Sequence, residues 1–372
     1  MIKPLQLYGN ILTEQGWIKG SIDFDQRIHD LHGTALTTPT QAEDVILPGF
    51  IDLHVHGGGG RDIMDGEGAV DTVARLHAQH GTTSLLATTM TAPQDELDAA
   101  LHGIARAVAQ RPAGMARVLG VHLEGPYINP GKLGAQPDFV QTATLAAIQR
   151  MQAIAPLRLI TVAPEMDGNL TLVRLLAETG IRIQIGHTLG SYEEGVAALD
   201  AGAKGFAHLF NAMSPFHHRA PGMAGAALAH AHFAELIPDL LHVHPGAIRT
   251  ALRAIPQLYC VTDSTAATGM PDGAYMLGRQ QVHKCLGGVR LADGTLAGST
   301  LTMDQALRNL VGLGLTLADA SQRVSTNAAD FLGLSDRGRL TKGAHADLVV
   351  LDSHLQLKAV YVEGEKIDVD HA

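Results

Sequence analysis

The sequence predicts an α/β fold, a (β/α)8 TIM barrel flanked by a small β-sandwich built from both termini. Three observations carry this expectation. Short β-rich runs alternate with longer helix-like runs between Gly49 and about Phe331, the two ends of the chain show strand-like alternation instead, and polar residues of related chemistry close several of the runs. In chain order the strand candidates are 50–56, 82–89, 117–125, 158–164, 181–187, 205–211, 234–239 and 257–263. Between them lie helix-start signals: Thr91 and Gln94 spell a T-x-x-Q capping box, and Ser191 and Glu194 its S-x-x-E form. Past the eighth run Thr302 and Gln305 repeat the device, before an apolar stripe of Met303, Ala306, Leu307, Leu310 and Val311 at helical spacing. Strands that alternate with helices imply a parallel sheet, and eight of them favour closure into a barrel.

The ends read differently. "GSIDFDQRI" near the start and "ADLVVLD" and "KAVYVEGEKI" near the finish place apolar residues on alternate positions, the pattern of half-buried strands. Neither end is long enough to bury a core alone, so the two are expected to combine. This gives a discontinuous small domain of residues 1–48 plus 335–372 and a barrel of 49–334.

Composition narrows the function classes. The chain of 372 residues is 46% hydrophobic but only 4% aromatic, which suits a large interior of Ala, Val, Ile and Leu. A formal charge of −10 with no long run of either sign argues against nucleic acid or a membrane surface as partner. Cys260 and Cys285 are the only cysteines, so a reducing compartment is expected rather than a disulfide framework. The opening "MIKPLQLYGN" lacks the apolar core of a secretion signal, and no run of 18 apolar residues occurs. A soluble, cytoplasmic protein is the expectation.

Active sites of such barrels sit at the C-terminal ends of the strands, so the residues there matter most. The stretch "FIDLHVHGGGG" puts His54 and His56 on alternate positions, hence on one face of the first strand. The glycines after them would leave room for an ion to approach. Glu124 closes the third run, His187 the fifth, His208 lies in the sixth, and Asp263 closes the eighth. Each alone has an ordinary reading as a loop carboxylate, a core histidine or a helix cap. Together they converge on one rim and suit a divalent first-row metal, zinc first, with iron or another such ion as alternatives, one or two per chain. Such an ion acidifies water, and a nearby carboxylate, for which Asp263 fits, would carry the proton in a metal-assisted hydrolysis.

The motifs "PGFIDLHVHG", "HLEGPYINP", "AHLFNAMSPFHHRAPG", "LHVHP", "TDSTAATGMPDG" and "GTLAGSTLTMDQALRNLV" resemble the N-acetylglucosamine-6-phosphate deacetylases of the amidohydrolase superfamily over nearly the whole chain. The resemblance implies a metal held by Glu124, His187 and His208, with Asp263 as general base and then acid. It also implies substrate contacts from Ala135, Gln136, Asn211, Ala212, Arg219, His242, Leu296, Ala297 and Gly298. Arg219 would clamp a phosphate, and His242 would orient or polarise the amide carbonyl. Retention of both His54 and His56 raises the expectation of a second ion, with Glu124 shared between the two. Deacetylation of N-acetylgalactosamine 6-phosphate and a catalytically inactive barrel are the alternatives. The partner would be a small phosphorylated amino sugar, and the protein a homo-oligomer, dimer or tetramer.

Overall fold

The computed structural model describes residues 4–66 and 68–369. All eight expected runs contain a barrel strand: Phe50–Val55, Thr82–Thr89, Arg117–Glu124, Leu157–Val162, Arg182–Ile185, Gly205–Phe206, Glu235–Leu236 and Tyr259–Cys260. The first six pair in sequence order in one parallel sheet, and the last two pair with each other. Single hydrogen bonds close the circle. Leu209 N–H donates to the Glu235 carbonyl at 2.9 Å, Asp263 N–H to the His54 carbonyl at 2.9 Å, and His56 N–H to the Ser264 carbonyl at 3.0 Å. The later strands are short because His187, His208 and Asp263, at their ends, adopt positive φ of 48°, 25° and 51°. A left-handed residue turns the chain out of the ladder.

Helices pack their apolar faces on the outside of this sheet, as with Val70, Val73 and Ala74 of helix Ala69–Gln79 and Leu97, Leu101 and Ile104 of helix Gln94–Ala109. Of the three expected capping boxes one forms: Ser191 Oγ accepts Glu194 N–H at 3.2 Å, and Glu194 Oε2 accepts Ser191 N–H at 2.7 Å. The second is corrected, because helix Gln94–Ala109 begins after Pro93 with no side-chain cap, and Thr91 N–H is committed to Gln136. In the third, Thr302 occupies the cap position without a side-chain cap, and Gln305 reaches forward to Asn309. The stripe behind it buries Met303, Ala306, Leu307 and Leu310.

Both ends of the chain join one seven-stranded sheet in the order Glu365–Ile367, Leu357–Val362, Leu348–Leu351, Val45–Pro48, Leu5–Thr13, Gly16–Phe24, Ile28–Leu36. The seam is the antiparallel pairing of Val45–Pro48 with Leu348–Leu351. Phe24 and Tyr361, four strands apart in that order, meet edge to face at 5.2 Å. The sheet therefore curls over its own core of Ile11, Ile22, Ile46, Leu348 and Val350, so its halves face each other as sandwich layers do.

A three-stranded antiparallel sheet, Gly273–Leu277, Gln280–Cys285 and Gly288–Arg290, was not anticipated. Leu277, Val282 and Val289 pack with Met90 and Ala297, which anchors this insert beside the C-terminal mouth of the barrel. Among the described residues no helix is long and apolar enough to cross a membrane.

Candidate metal centre and active site

His54 and His56 do project together, and both are buried. The glycines behind them have a different use from the one expected. Gly59 and Gly60 have positive φ, and a Cβ on Gly57 would lie 2.5 Å from Ala266 N. Gly59 N–H and Gly60 N–H donate to the Thr268 and Ala266 carbonyls, each at 2.9 Å. The run thus lets backbone pack on backbone after the eighth strand, and clears no path for an ion.

Glu124 is the hub. Its Oε1 lies 3.2 Å from His187 Nε2, 3.0 Å from His208 Nε2 and 3.3 Å from His54 Nε2, and its Oε2 lies 3.1 Å from His56 Nε2. His187 and His208 approach each other at 3.1 Å through Nε2, as do His54 and His56 at 3.2 Å. Asp263 Oδ1 stands 3.4 Å from His56 Nε2 and 3.6 Å from His54 Nε2. Two donor triads result: Glu124 with His187 and His208, and His54 with His56 and Asp263.

The donor set fits a metal cation on chemical grounds. The Lys132 carbonyl can only accept, so His187 places its proton on Nδ1, 2.8 Å away, which leaves a lone pair on Nε2 in the neutral ring. That lone pair faces a carboxylate oxygen and another imidazole nitrogen. Ligands about 2.0–2.1 Å from a tetrahedral ion stand roughly 3.3 Å apart, the spacing seen here. The electrostatics agree. Burial would raise the Glu124 carboxyl, but His54 and His187 outweigh it and hold it well below the usual carboxylate range. Burial would lower His54 and His187, yet the field of Glu124 raises both, joined at His54 by Glu235 and Asp263. The field that favours a proton on these nitrogens favours a metal ion equally.

A cavity of about 480 Å³ opens over this cluster, lined by His56, Glu124, His187, His208 and Asp263 and by Ala135, Gln136, Asn211, Ala212, His242, Leu296 and Gly298. That volume is within the range of small-molecule sites. Gln136 Oε1 accepts Thr91 N–H at 2.7 Å, which turns its NH2 onto Glu124 Oε2 at 2.6 Å, so its amide braces the hub carboxylate. His242 is braced by Asp239, whose Oδ2 lies 2.6 Å from Nδ1, leaving Nε2 for a ligand. Burial would lower that imidazole, and Asp239 raises it. His244 opens helix Pro245–Ala254, where its Nδ1 accepts Gly246 N–H at 3.1 Å.

Two expected contacts fall elsewhere. Ala297 is fully buried in the insert's packing cluster, so its neighbours Leu296 and Gly298 present the loop to the cavity. Arg219 is exposed, pairs with His218 Nε2 at 2.7 Å, and lines a separate concavity with Leu189, Tyr192 and Pro215. Asp239, Glu235 and the insert's Leu277 were missed by sequence reasoning. Asp239 and Glu235 look like ordinary strand-edge acids in "AELIPD", whereas alternating Tyr275, Leu277 and Val282 around Gly278 did carry a hairpin signal.

Residues 45–370 match the family model described as the amidohydrolase family. The chain is 41% identical to the N-acetylglucosamine-6-phosphate deacetylase of Lysinibacillus sphaericus, over 86% of this chain and 84% of that protein. It is 38% identical to the N-acetylgalactosamine-6-phosphate deacetylase of Escherichia coli O157:H7, over 95% and 97%. Its fold superposes with TM-score 0.90, at 34% identity and 98% and 100% coverage, on a mutant N-acetyl-D-glucosamine-6-phosphate deacetylase from Mycobacterium smegmatis in complex with N-acetyl-D-glucosamine 6-phosphate.

Proposed function

The chain belongs to the amidohydrolase family and is a hydrolase of carbon–nitrogen bonds, and from that premise we propose that it converts N-acetyl-D-glucosamine 6-phosphate to D-glucosamine 6-phosphate and acetate in amino-sugar catabolism. The observation that carries this reading is the convergence of Glu124, His187, His208 and His56 in the floor of a sugar-sized cavity, with Asp263 beside them and His54 buried behind. The relatives' names select the acetylated amino sugar.

When bound, a divalent ion, zinc first with iron or another first-row ion as alternatives, supplies Lewis acidity toward water and the acetamide carbonyl. Glu124, His187 and His208 would hold it, and His54 and His56 would hold a second ion beside Glu124. Asp263 takes the proton of the attacking water and returns it to the sugar nitrogen as the carbon–nitrogen bond breaks. His242, whose Nδ1–H is held by Asp239, donates toward the carbonyl oxygen from Nε2 as the imidazolium, the form that Asp239 favours. Asn211, Ala212, Ala135 and the Leu296–Gly298 loop supply polar and backbone groups that orient the sugar, with Gln136 acting through Glu124.

A homo-oligomer, dimer or tetramer, belongs to this reading. Leu189 and Phe216 leave 50% and 58% of their surface exposed on loops of the same rim, an apolar surface a second copy would cover. Arg219 sits on that rim outside the cavity of its own chain, so its role as phosphate clamp is tied to the assembly. A cytoplasmic location suits the substrate.

The test is acetate release by purified protein from the two 6-phosphates, before and after chelation. We expect higher kcat/KM for the gluco epimer, loss of turnover on chelation and recovery with added metal. The galacto epimer is the second reading, favoured by the relative matched over nearly its full length. Full turnover in a metal-free preparation would sink the mechanism.

A further inference from the structure

Glu235, in the seventh barrel strand, takes no part in the steps above, yet its carboxylate is fully buried. A buried carboxylate is costly unless its oxygens are satisfied. Its Oε2 faces His54 Nδ1 at 3.0 Å and accepts His208 N–H at 3.2 Å, and its Oε1 accepts Gln184 Nε2 at 3.0 Å and the Tyr259 hydroxyl at 3.4 Å. One carboxylate therefore touches a member of each donor triad.

The chemistry of the contact dictates its effect. A carboxylate only accepts, so the His54 proton belongs on Nδ1, which leaves the Nε2 lone pair facing Glu124 and His56. The bond to His208 N–H holds a residue whose φ of 25° is strained for a side chain of this kind. We propose that Glu235 is a positioning residue of the metal centre, one that locks His54 in the Nδ1-protonated tautomer and ties it to the backbone carrying His208. This rests on the reading that His54 and His56 hold an ion. The alternative use of the same atoms, a third cation site of His54, His122 and Glu235, is disfavoured by His122. Both its nitrogens face hydroxyls, Nε2 at 2.7 Å from Thr161 and Nδ1 at 3.3 Å from Thr88.

The experiment compares metal content and metal affinity, by competition with a chelator, in wild type, Glu235→Gln and His54→Asn, with circular dichroism as the folding check. His54→Asn is expected to lose about one ion per chain on the two-ion reading. Glu235→Gln is expected to bind that same ion roughly 10- to 100-fold more weakly, the usual effect of removing a partner behind a ligating imidazole. Wild-type affinity in Glu235→Gln, with the ion lost in His54→Asn, overturns the proposal and leaves the two-ion reading standing. Unchanged metal content in His54→Asn overturns that reading and the proposal with it. Should Glu235→Gln not fold, nitrogen-15 spectra of histidine-labelled wild type decide, with His54 assigned by its absence from His54→Asn. A ring protonated on Nδ1 supports the proposal, and one protonated on Nε2 overturns it.

Discussion

Buried charge gathers at both ends of the barrel, and the two clusters are built in opposite ways. At the N-terminal end, where Arg117 starts the third strand, guanidinium groups answer carboxylates. Arg337 Nη1 lies 2.5 Å from Asp347 and also pairs with Glu363, Arg117 Nη2 is 2.6 Å from Glu363, and Arg111 Nη2 is 2.6 Å from Glu365. These permanent cations close the network and tie the terminal sheet to the barrel. At the C-terminal end Glu124 is answered by imidazoles alone among its ion-pair partners in the described residues. The first cluster is self-neutralised and can only hold structure together. The second converges lone pairs on one point, a donor set able to hold a cation, with its geometry held by left-handed residues at three strand ends.

If that contrast is right, substitutions at the two ends separate chemistry from stability. The largest effect is expected from Asp263→Asn, which should lower kcat by about 10²- to 10⁴-fold because an amide cannot shuttle a proton. Its melting temperature should stay near wild type. A large loss of stability with near-normal turnover would erase the distinction. Next, Arg337→Ala strands the buried carboxylate of Asp347, while Glu363 keeps Arg117 and Arg111, and should cost about 3–5 kcal/mol in denaturant titration. Turnover per folded molecule should be unchanged.

Arg219→Ala comes third, and it tests whether the rim extends past the cavity of one chain. Its KM for the phosphorylated sugar should rise roughly 10- to 150-fold, about 1.5–3 kcal/mol of charge-assisted contact, with little change for unphosphorylated N-acetylglucosamine. Equal losses on both would make Arg219 structural. The smallest effect is a pH dependence at the N-terminal cluster. Burial would raise Glu363, but the hydrogen bonds from Arg117 and Arg337 outweigh it and hold the carboxyl at about 2. A depressed folded value stabilises above the unfolded carboxyl value of about 4.3, and that stability fades as pH falls. Acid unfolding of a Glu363→Gln variant should therefore be less steep between about pH 4.3 and 2 than that of wild type.

Much of the fold was legible because barrel strands carry local marks. The run 50–56 alternates apolar with polar residues, the run 82–89 is rich in β-branched Thr, each follows a glycine, and each contains a strand. The cluster of candidate metal donors was legible for a related reason, since a rule about strand ends turned scattered His, Glu and Asp residues into one rim. The capping boxes fared worse. Thr91 and Gln94 have the right spacing, but Thr91 N–H is claimed by Gln136, 45 residues on in the chain. Local pattern states what a residue can do, and tertiary contacts choose among the possibilities.

The sequence by itself determined the alternation of strands and helices, the pairing of both ends into one sheet, and the residues able to ligate a metal, because periodicity and residue chemistry are local properties. Only the tertiary structure decided that the glycines after His56 serve backbone packing, that Gln136 braces Glu124, that Arg219 lies outside the cavity, and that Glu235 meets His54 across 181 residues of chain. Those outcomes depend on which groups barrel closure brings within hydrogen-bond distance. A carboxylate in a short strand looks the same in sequence whether it faces water or an imidazole. Burial without a counter-cation separates the two, and burial is a property of the closed barrel.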